Sequence, residues 1–220
     1  MNLYKAMLER NSVRRYTDEP LKKEHIDALS QAIEKVNKES GLHFQLVTNE
    51  PEAFTGKAAD YGHFSGCTDY IVAVGPKGKD EEIGYYGEEL VLVAQSLGLN
   101  SCWVALTFNK RKVKAEINKN EKFYLVISIG YGVHNGRPHK NKSFSDLCSC
   151  EGEMPQWFKE AVEAAMTAPT AVNQQKFHFA LEGDDVKAKA LIGPYSKMDL
   201  GIVKYHFELG AKGHKFNWVK

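Results

Sequence analysis

Apolar side chains recur along this chain with two different periods, and the alternation of those periods predicts its elements. In "KKEHIDALSQAIEKV" the residues Ile26, Leu29, Ile33 and Val36 fall three and four apart, which lays one apolar stripe along a helix over 21–38, and Gly41 stands where it must end. Tyr86, Leu90, Val93 and Leu97 repeat that spacing over 82–97, closed by Gly98. "LHFQLVT" (42–48) alternates with the period of a strand, and "DYIVAVG" (69–75) and "FYLVISIGYG" (123–132) are unbroken apolar runs of strand length. A short helix over 2–10 precedes these. A short strand and a charged helix through "NKRKVKAEIN" (109–118) lie between them. A helix from Pro155 to Met166, strand "FHFAL" (177–181), a helix capped by Ser196 and reaching Lys212, and an extended "FNWV" (216–219) complete the chain. The mixture predicts an α+β fold, a sheet covered by helices, most economically one domain over 1–220.

A faint internal echo runs through the pattern. "GLHFQLVTNE" and "KFHFALEGDD" share His-Phe-x-Leu, and "SLGLNSCWV" and "GAKGHKFNWV" each place Gly five residues before Trp-Val. This suggests two weakly related halves.

Charge narrows the partners. The 29 Lys and Arg nearly cancel the 28 Asp and Glu, so no overall field draws nucleic acid or an acidic membrane, and any anion is bound locally. The charged N-terminal segment has no apolar stretch of signal-peptide length, and no run approaches a membrane span, so a cytoplasmic location is expected. Four cysteines make a poor disulfide framework, and Cys148-Ser149-Cys150 lacks the second pair of a zinc site, so it is read as a loop with reduced thiols. His63, His139 and His206 have no metal spacing, and no metal is assigned.

Two glycine-containing segments invite nucleotide readings that their spacing excludes. Gly130-Tyr131-Gly132-Val133-His134-Asn135-Gly136 is one residue too long for a dinucleotide fingerprint, and no apolar helix period follows it. Lys77 and Lys79 in "GPKGKD" lack the Ser or Thr and the gap of a P-loop. Arg137, Lys140 and Lys142 at the strand exit suit either a bound phosphate or a solvated basic loop.

The candidate chemistry sits in two stretches. "RNSVRRY" (10–16) sets three guanidinium groups within six positions. If the first helix continues through it, Arg10 and Arg14 share a face with the Ser12 hydroxyl nearby, a donor set for a dianionic phosphate monoester. Salt bridges to Glu9, Asp18 and Glu19 are the alternative. In "APTAVNQQKF" (168–177) a small-residue helix stops at a proline and a turn follows with Thr170, Asn173, Gln174 and Gln175, whose amides both donate and accept, as the edge of a planar heterocycle requires.

"RNSVRRY" resembles the Arg-x-Ser-x-Arg-x-Tyr/Phe opening of the FMN-dependent nitroreductase family, and "APTAVNQQKF" its Ala-Pro-Ser-x-x-Asn-x-Gln-Pro-Trp turn. "SLGLNSCWVALTF" is similar to the family's Gly-Leu-Gly-x-x-x-Trp segment, and "ISIGYG" followed by "HKNKSF" to its late strand with a basic-x-basic pair. In the commonest members the Ala-Pro-Ser turn lies in the first half; here it lies in the second, as in one branch of the family, and Lys176-Phe177 replaces Pro-Trp.

The resemblance implies a nitroreductase-like fold, with a central, mostly antiparallel sheet flanked by helices. It implies that Arg10, Asn11, Ser12 and Arg14 hold the phosphate and ribityl chain of FMN, with Lys140 and Lys142 closing the other side. It places Pro169, Thr170, Ala171 and Asn173 along the isoalloxazine, and the main chain of Val104, Ala105 and Leu106 near flavin N5. The implied activity is ping-pong hydride transfer from NAD(P)H through the flavin to a nitroaromatic, quinone or similar small acceptor, in a homodimer without membrane or nucleic-acid partners. No side chain need then be catalytic. A flavin store or sensor without turnover is the alternative.

Overall fold

The computed structural model describes residues 2–219. Its first elements are helices α1 (Leu3–Glu9) and α2 (Lys23–Ser40), strand β1 (Gln45–Val47), helix α3 (Lys57–Tyr61), strand β2 (Asp69–Pro76) and helix α4 (Asp80–Ser96). Strands β3 (Asn100–Val104) and β4 (Glu121–Gly130), helix α5 (Phe144–Leu147), strand β5 (Cys148–Cys150) and helix α6 (Gln156–Ala165) follow. Strands β6 (Phe177–Glu182) and β7 (Asp185–Ala190), helix α7 (Ser196–Gly210) and strand β8 (Asn217–Val219) end the chain. Two compact units divide it, one of residues 9–79 and 90–138, the other of 2–8, 80–89 and 139–219. Among the described residues no helix is long and apolar enough to cross a membrane.

The first unit is built on an antiparallel sheet of order β1-β2-β4-β3. Its apolar runs are unbroken because both faces are covered: Tyr70, Val72, Val74, Cys102, Val104 and Val126 pack with Phe54, Phe64 and Phe108, while Ile71, Ala73, Leu125, Ile127 and Ile129, which alternate with them, are buried as well. The stripe of α2 buries Leu29, Ile33 and Val36, and Gly41 closes the helix in the left-handed region (φ 68°), donating its N–H to Asn37 O.

Two expectations in this unit are corrected. The strand expected over 42–48 is confined to 45–47, because the Asn37 side chain takes both main-chain groups of Phe44. The charged helix expected over 109–118 does not form. After a turn at 110–112 the segment packs Val113 and Ala115, two apart, against the core, and the Gln45 amide pairs with the main chain of Glu116 on both sides. Tertiary contacts of period two override the helical charge pattern.

The second unit carries a mixed sheet, β5-β6-β7-β8, in which β6 and β7 are antiparallel and the outer pairs parallel. Cys148–Cys150, expected as a loop, is β5. The core is aromatic: Phe207 packs against Phe158, Phe179, Phe216 and Trp218. Glycines set the helix spacing. A Cβ on Gly201 of α7 would strike Glu81 O, one on Gly84 of α4 would strike Met198 O, and one on Gly210 would lie 2.8 Å from Ala161 Cα. Ser196 is the first residue of α7 rather than its cap; Tyr195 fills the cap position with φ 58°.

Candidate functional site

In the first unit the "RNSVRRY" segment is not a continuation of α1, which stops at Glu9. It runs extended, with Val13 N–H donating to Ser101 O (2.9 Å), Tyr16 N–H to Ser65 O (2.9 Å) and Val133 N–H to Arg15 O (2.9 Å). Tyr16 anchors it from within: its hydroxyl lies 2.7 Å from Val13 O and 2.8 Å from Ser128 Oγ, and burial holds the phenol well above its usual range, so it stays neutral. Arg10, Ser12 and Arg14 therefore keep a common direction through the period of two rather than through a helical turn. Their convergence is visible at Cys102. Burial pushes that thiol up, while Arg14, Arg10 and hydrogen bonds from Ser12 and Arg14 pull it down.

The glycine-rich segment after β4 is the bed for this strand. Gly136 takes φ +73°, and a Cβ there would lie 2.7 Å from Asn11 Cβ and 3.0 Å from Ser12 O. The close approach lets Asn11 Nδ2 reach Asn135 O at 3.1 Å, while Asn100 Oδ1 accepts the Gly132 N–H at 2.9 Å. The glycines that imitate a dinucleotide fingerprint thus serve to position 10–12.

Arg10 is 5% exposed, whereas Ser12 and Arg14 reach the surface. Among the described residues Arg14 forms no ion pair, so the salt-bridge alternative for it is not realised. A buried guanidinium, an exposed one and a hydroxyl around one thiol make a donor set for a small dianion. Ala105 and Leu106 follow β3 in a bend, Leu106 74% exposed. Farther along the same unit an open cleft of ≈ 440 Å³ is lined by Thr55, Gly56, Lys57, Ala58, Phe108, Asn109, Lys110 and Arg111, three cations and no carboxylate.

In the second unit the structure joins two stretches that the sequence separates. The 170–175 turn is tied to 139–142: Asn173 Nδ2 donates to Lys140 O (2.8 Å), Lys142 N–H to Gln175 Oε1 (2.7 Å), Lys142 Nζ to Gln175 O (3.0 Å) and Gln175 Nε2 to Asn141 Oδ1 (2.8 Å). Thr170 Oγ1 accepts the Gln175 N–H at 3.1 Å. The amides that looked available for a heterocycle edge therefore hold the turn itself, and what faces outward at its tip is Val172, 92% exposed. Pro169, Thr170 and Ala171 are half-buried beside it.

The profile of the family described as "Putative TM nitroreductase" matches residues 2–211. The chain belongs to the TM nitroreductase family. A "putative nitroreductase" structure from Thermotoga maritima superposes on it with TM-score 0.67 at 20% identity, covering 96% of this chain and 83% of its own. A "Putative NADH dehydrogenase/NAD(P)H nitroreductase" from Parabacteroides distasonis matches with TM-score 0.52 at 21% identity over 67% of this chain and 96% of that one. A "putative nitroreductase in complex with fmn" from Desulfovibrio desulfuricans matches with TM-score 0.51 at 18% identity over 70% of this chain and 99% of that one. These likenesses establish the nitroreductase fold. No curated protein matches the sequence.

The sequence left two contributors to these sites unseen. Cys102 lies beneath the arginines only because β3 runs beside 12–13, a pairing no local pattern reports. Asp199 bonds the 170–175 turn from α7, and its one signal was an acid within an otherwise buried stretch, Met198–Val203.

Proposed function

We propose that the protein is an FMN-dependent oxidoreductase that takes electrons from NAD(P)H and passes them to a nitroaromatic, quinone or similar small acceptor. The observation that carries this reading is the extended run of 10–16 beside β3, which keeps Arg10, Ser12 and Arg14 in one direction, with Arg14 exposed and not ion-paired among the described residues. Family membership and the FMN complex of the Desulfovibrio desulfuricans protein support FMN as that phosphate monoester.

In this reading Arg14 and Ser12 donate to the phosphate, Arg10 supplies fixed positive charge from below, and Asn11, held by Asn135, sets the strand's register. FMN, when bound, supplies reversible hydride chemistry at N5 between NAD(P)H and the acceptor. The main-chain N–H groups of Ala105 and Leu106 would be the donors for N5. The resemblance would assign Pro169, Thr170, Ala171 and Asn173 to the ring of a flavin, and Lys140 and Lys142 to its anionic side, from this chain or from a second copy; with one Nζ hydrogen on Gln175 O, Lys142 has two left to donate. The basic cleft at Lys57, Lys110 and Arg111 supports an anionic dinucleotide as reductant. A homodimer in the cytoplasm completes the proposal, checked by sedimentation and fractionation.

Anaerobic addition of NADPH or NADH to the purified protein tests it. Bleaching of a flavin band near ~450 nm, reversed by a quinone or nitroaromatic, is expected. A flavin that no pyridine nucleotide reduces would overturn the oxidoreductase reading.

A further inference from the structure

Asp199 lies in the first turn of α7, 4% exposed, and its carboxylate reaches across to the 170–175 turn. The Ala171 N–H donates to both oxygens, at 3.0 and 3.2 Å, and Gln174 Nε2 donates to Oδ2 at 2.7 Å while also reaching Pro194 O at 2.7 Å. The turn needs such a hold. Val172, Asn173 and Gln175 all adopt left-handed backbone (φ 47°, 54° and 44°), and a β-branched valine is among the residues least suited to that region.

The carboxylate has no counter-ion. Among the described residues no cation pairs with it; Lys176 donates to Ile192 O, and Lys204, farther along α7, is paired with Glu81 of α4. Nothing in the turn between Ala171 and Gln175 ionises, and the groups that bond the carboxylate are the N–H donors of Ala171 and Gln174. Burial pushes its carboxyl up to about 6, with Gln174 and Ala171 pulling the other way. A buried acid without a cation is a poor choice for stability, and such groups concentrate where a site needs them.

We propose that Asp199 is a positioning residue for the cofactor: its ionised carboxylate clamps the 170–175 turn in the shape that meets the flavin ring, and protonation of this one group loosens the turn and weakens flavin binding. The inference rests on the FMN reading above. Protonation removes the charge-assisted half of three hydrogen bonds and converts one acceptor oxygen into a donor facing N–H groups. The strained turn is then free to relax.

The test is FMN affinity by fluorescence between pH 5 and 8, together with hydrogen exchange of the Ala171 amide and the thermal midpoint. For the wild type, affinity is expected to fall roughly tenfold from pH 7.5 to 5, as loss of a charge-assisted hydrogen bond implies. Ala171 protection should fall with the same midpoint, near the carboxyl's value of about 6. Asp199→Asn should bind FMN weakly at every pH, with a flat profile and no loss of thermal midpoint at pH 7.5. Gln174→Ala removes a donor to the charged form and should shift the midpoint upward, which keeps the test open should Asp199→Asn misfold. Wild-type affinity and pH profile in Asp199→Asn, or an unmoved midpoint in Gln174→Ala, would overturn the clamp and leave the FMN reading standing. A wild type whose Ala171 protection titrates but which binds no FMN would instead overturn the FMN reading and, with it, the clamp's role toward flavin.

Discussion

His206 Nε2 lies 2.9 Å from Glu88 Oε1, and both side chains are fully buried. The other ring nitrogen lies 3.0 Å from Thr167 Oγ1 and 3.3 Å from Ala164 O, so α7, the middle of α4 and the end of α6 meet on one imidazole. Removing Glu88 leaves the buried ring nitrogen without that acceptor, which costs about 1–3 kcal/mol. Glu88→Ala is expected to lose that much in urea unfolding, and Glu88→Gln, which keeps an acceptor for the ring, distinctly less. Equal losses would show that the pair's hydrogen bond contributes nothing.

Against global unfolding, which returns the carboxyl to water, Asp199 makes stability fall as pH rises; the sign is opposite to that of its hold on the 170–175 turn, which loosens with the acid still buried. Its carboxyl titrates near 6 in the fold against an ordinary value of 3.8, so the folded chain holds a proton that the unfolded chain has released between those values. Stability contributed by that proton is complete below pH 3.8 and gone above 6. The two limits differ by about 3 kcal/mol at 1.36 kcal/mol per unit. Relative to Asp199→Asn, the wild type is expected to lose about that amount between pH 4 and 7 in denaturant midpoints. Parallel curves for the two proteins would contradict it.

Gly84 and Gly201 let two helices touch through main chain. Alanine at Gly84 would gain about 1 kcal/mol in helix propensity, but its Cβ falls on Met198 O, and overpacking against backbone costs about 1–3 kcal/mol or more. The clash wins, and Gly84→Ala is expected to lower the thermal midpoint. A raised midpoint would show that the helices part without penalty.

The sequence made the long elements legible where one period ran unopposed, as in α2 with Leu29, Ile33 and Val36, or in the apolar run of β4. It misled at 109–118, where a helical charge pattern lost to the pairing of Glu116 with Gln45, a contact 71 positions away. It overlooked β7, whose Val186, Ala188 and Ala190 alternate with lysines but carry too little apolar bulk to stand out. The candidate site divided the same way. Arg10, Ser12 and Arg14 were legible as a donor set, though through the wrong periodicity. Gln174 and Gln175 were legible as polar groups but not as the turn's own fastenings, since Asp199 and Lys142 reach them only in the fold.

The basic cleft gives a prediction for the reductant. Lys57→Ala with Arg111→Ala removes two cations lining it and should raise the KM for NAD(P)H several-fold, with FMN affinity unchanged and the effect shrinking at high salt. Unaltered KM at low salt would remove the cleft from the reductant's path.

Arg14→Ala tests whether "RNSVRRY" holds the FMN phosphate. Arg14 is exposed and forms no ion pair among the described residues, so its loss should leave the thermal midpoint unchanged. A charged hydrogen bond is worth about 1.5–3 kcal/mol, so FMN affinity measured by fluorescence titration is expected to fall about tenfold or more. Wild-type affinity in Arg14→Ala would mean that this segment does not hold the phosphate.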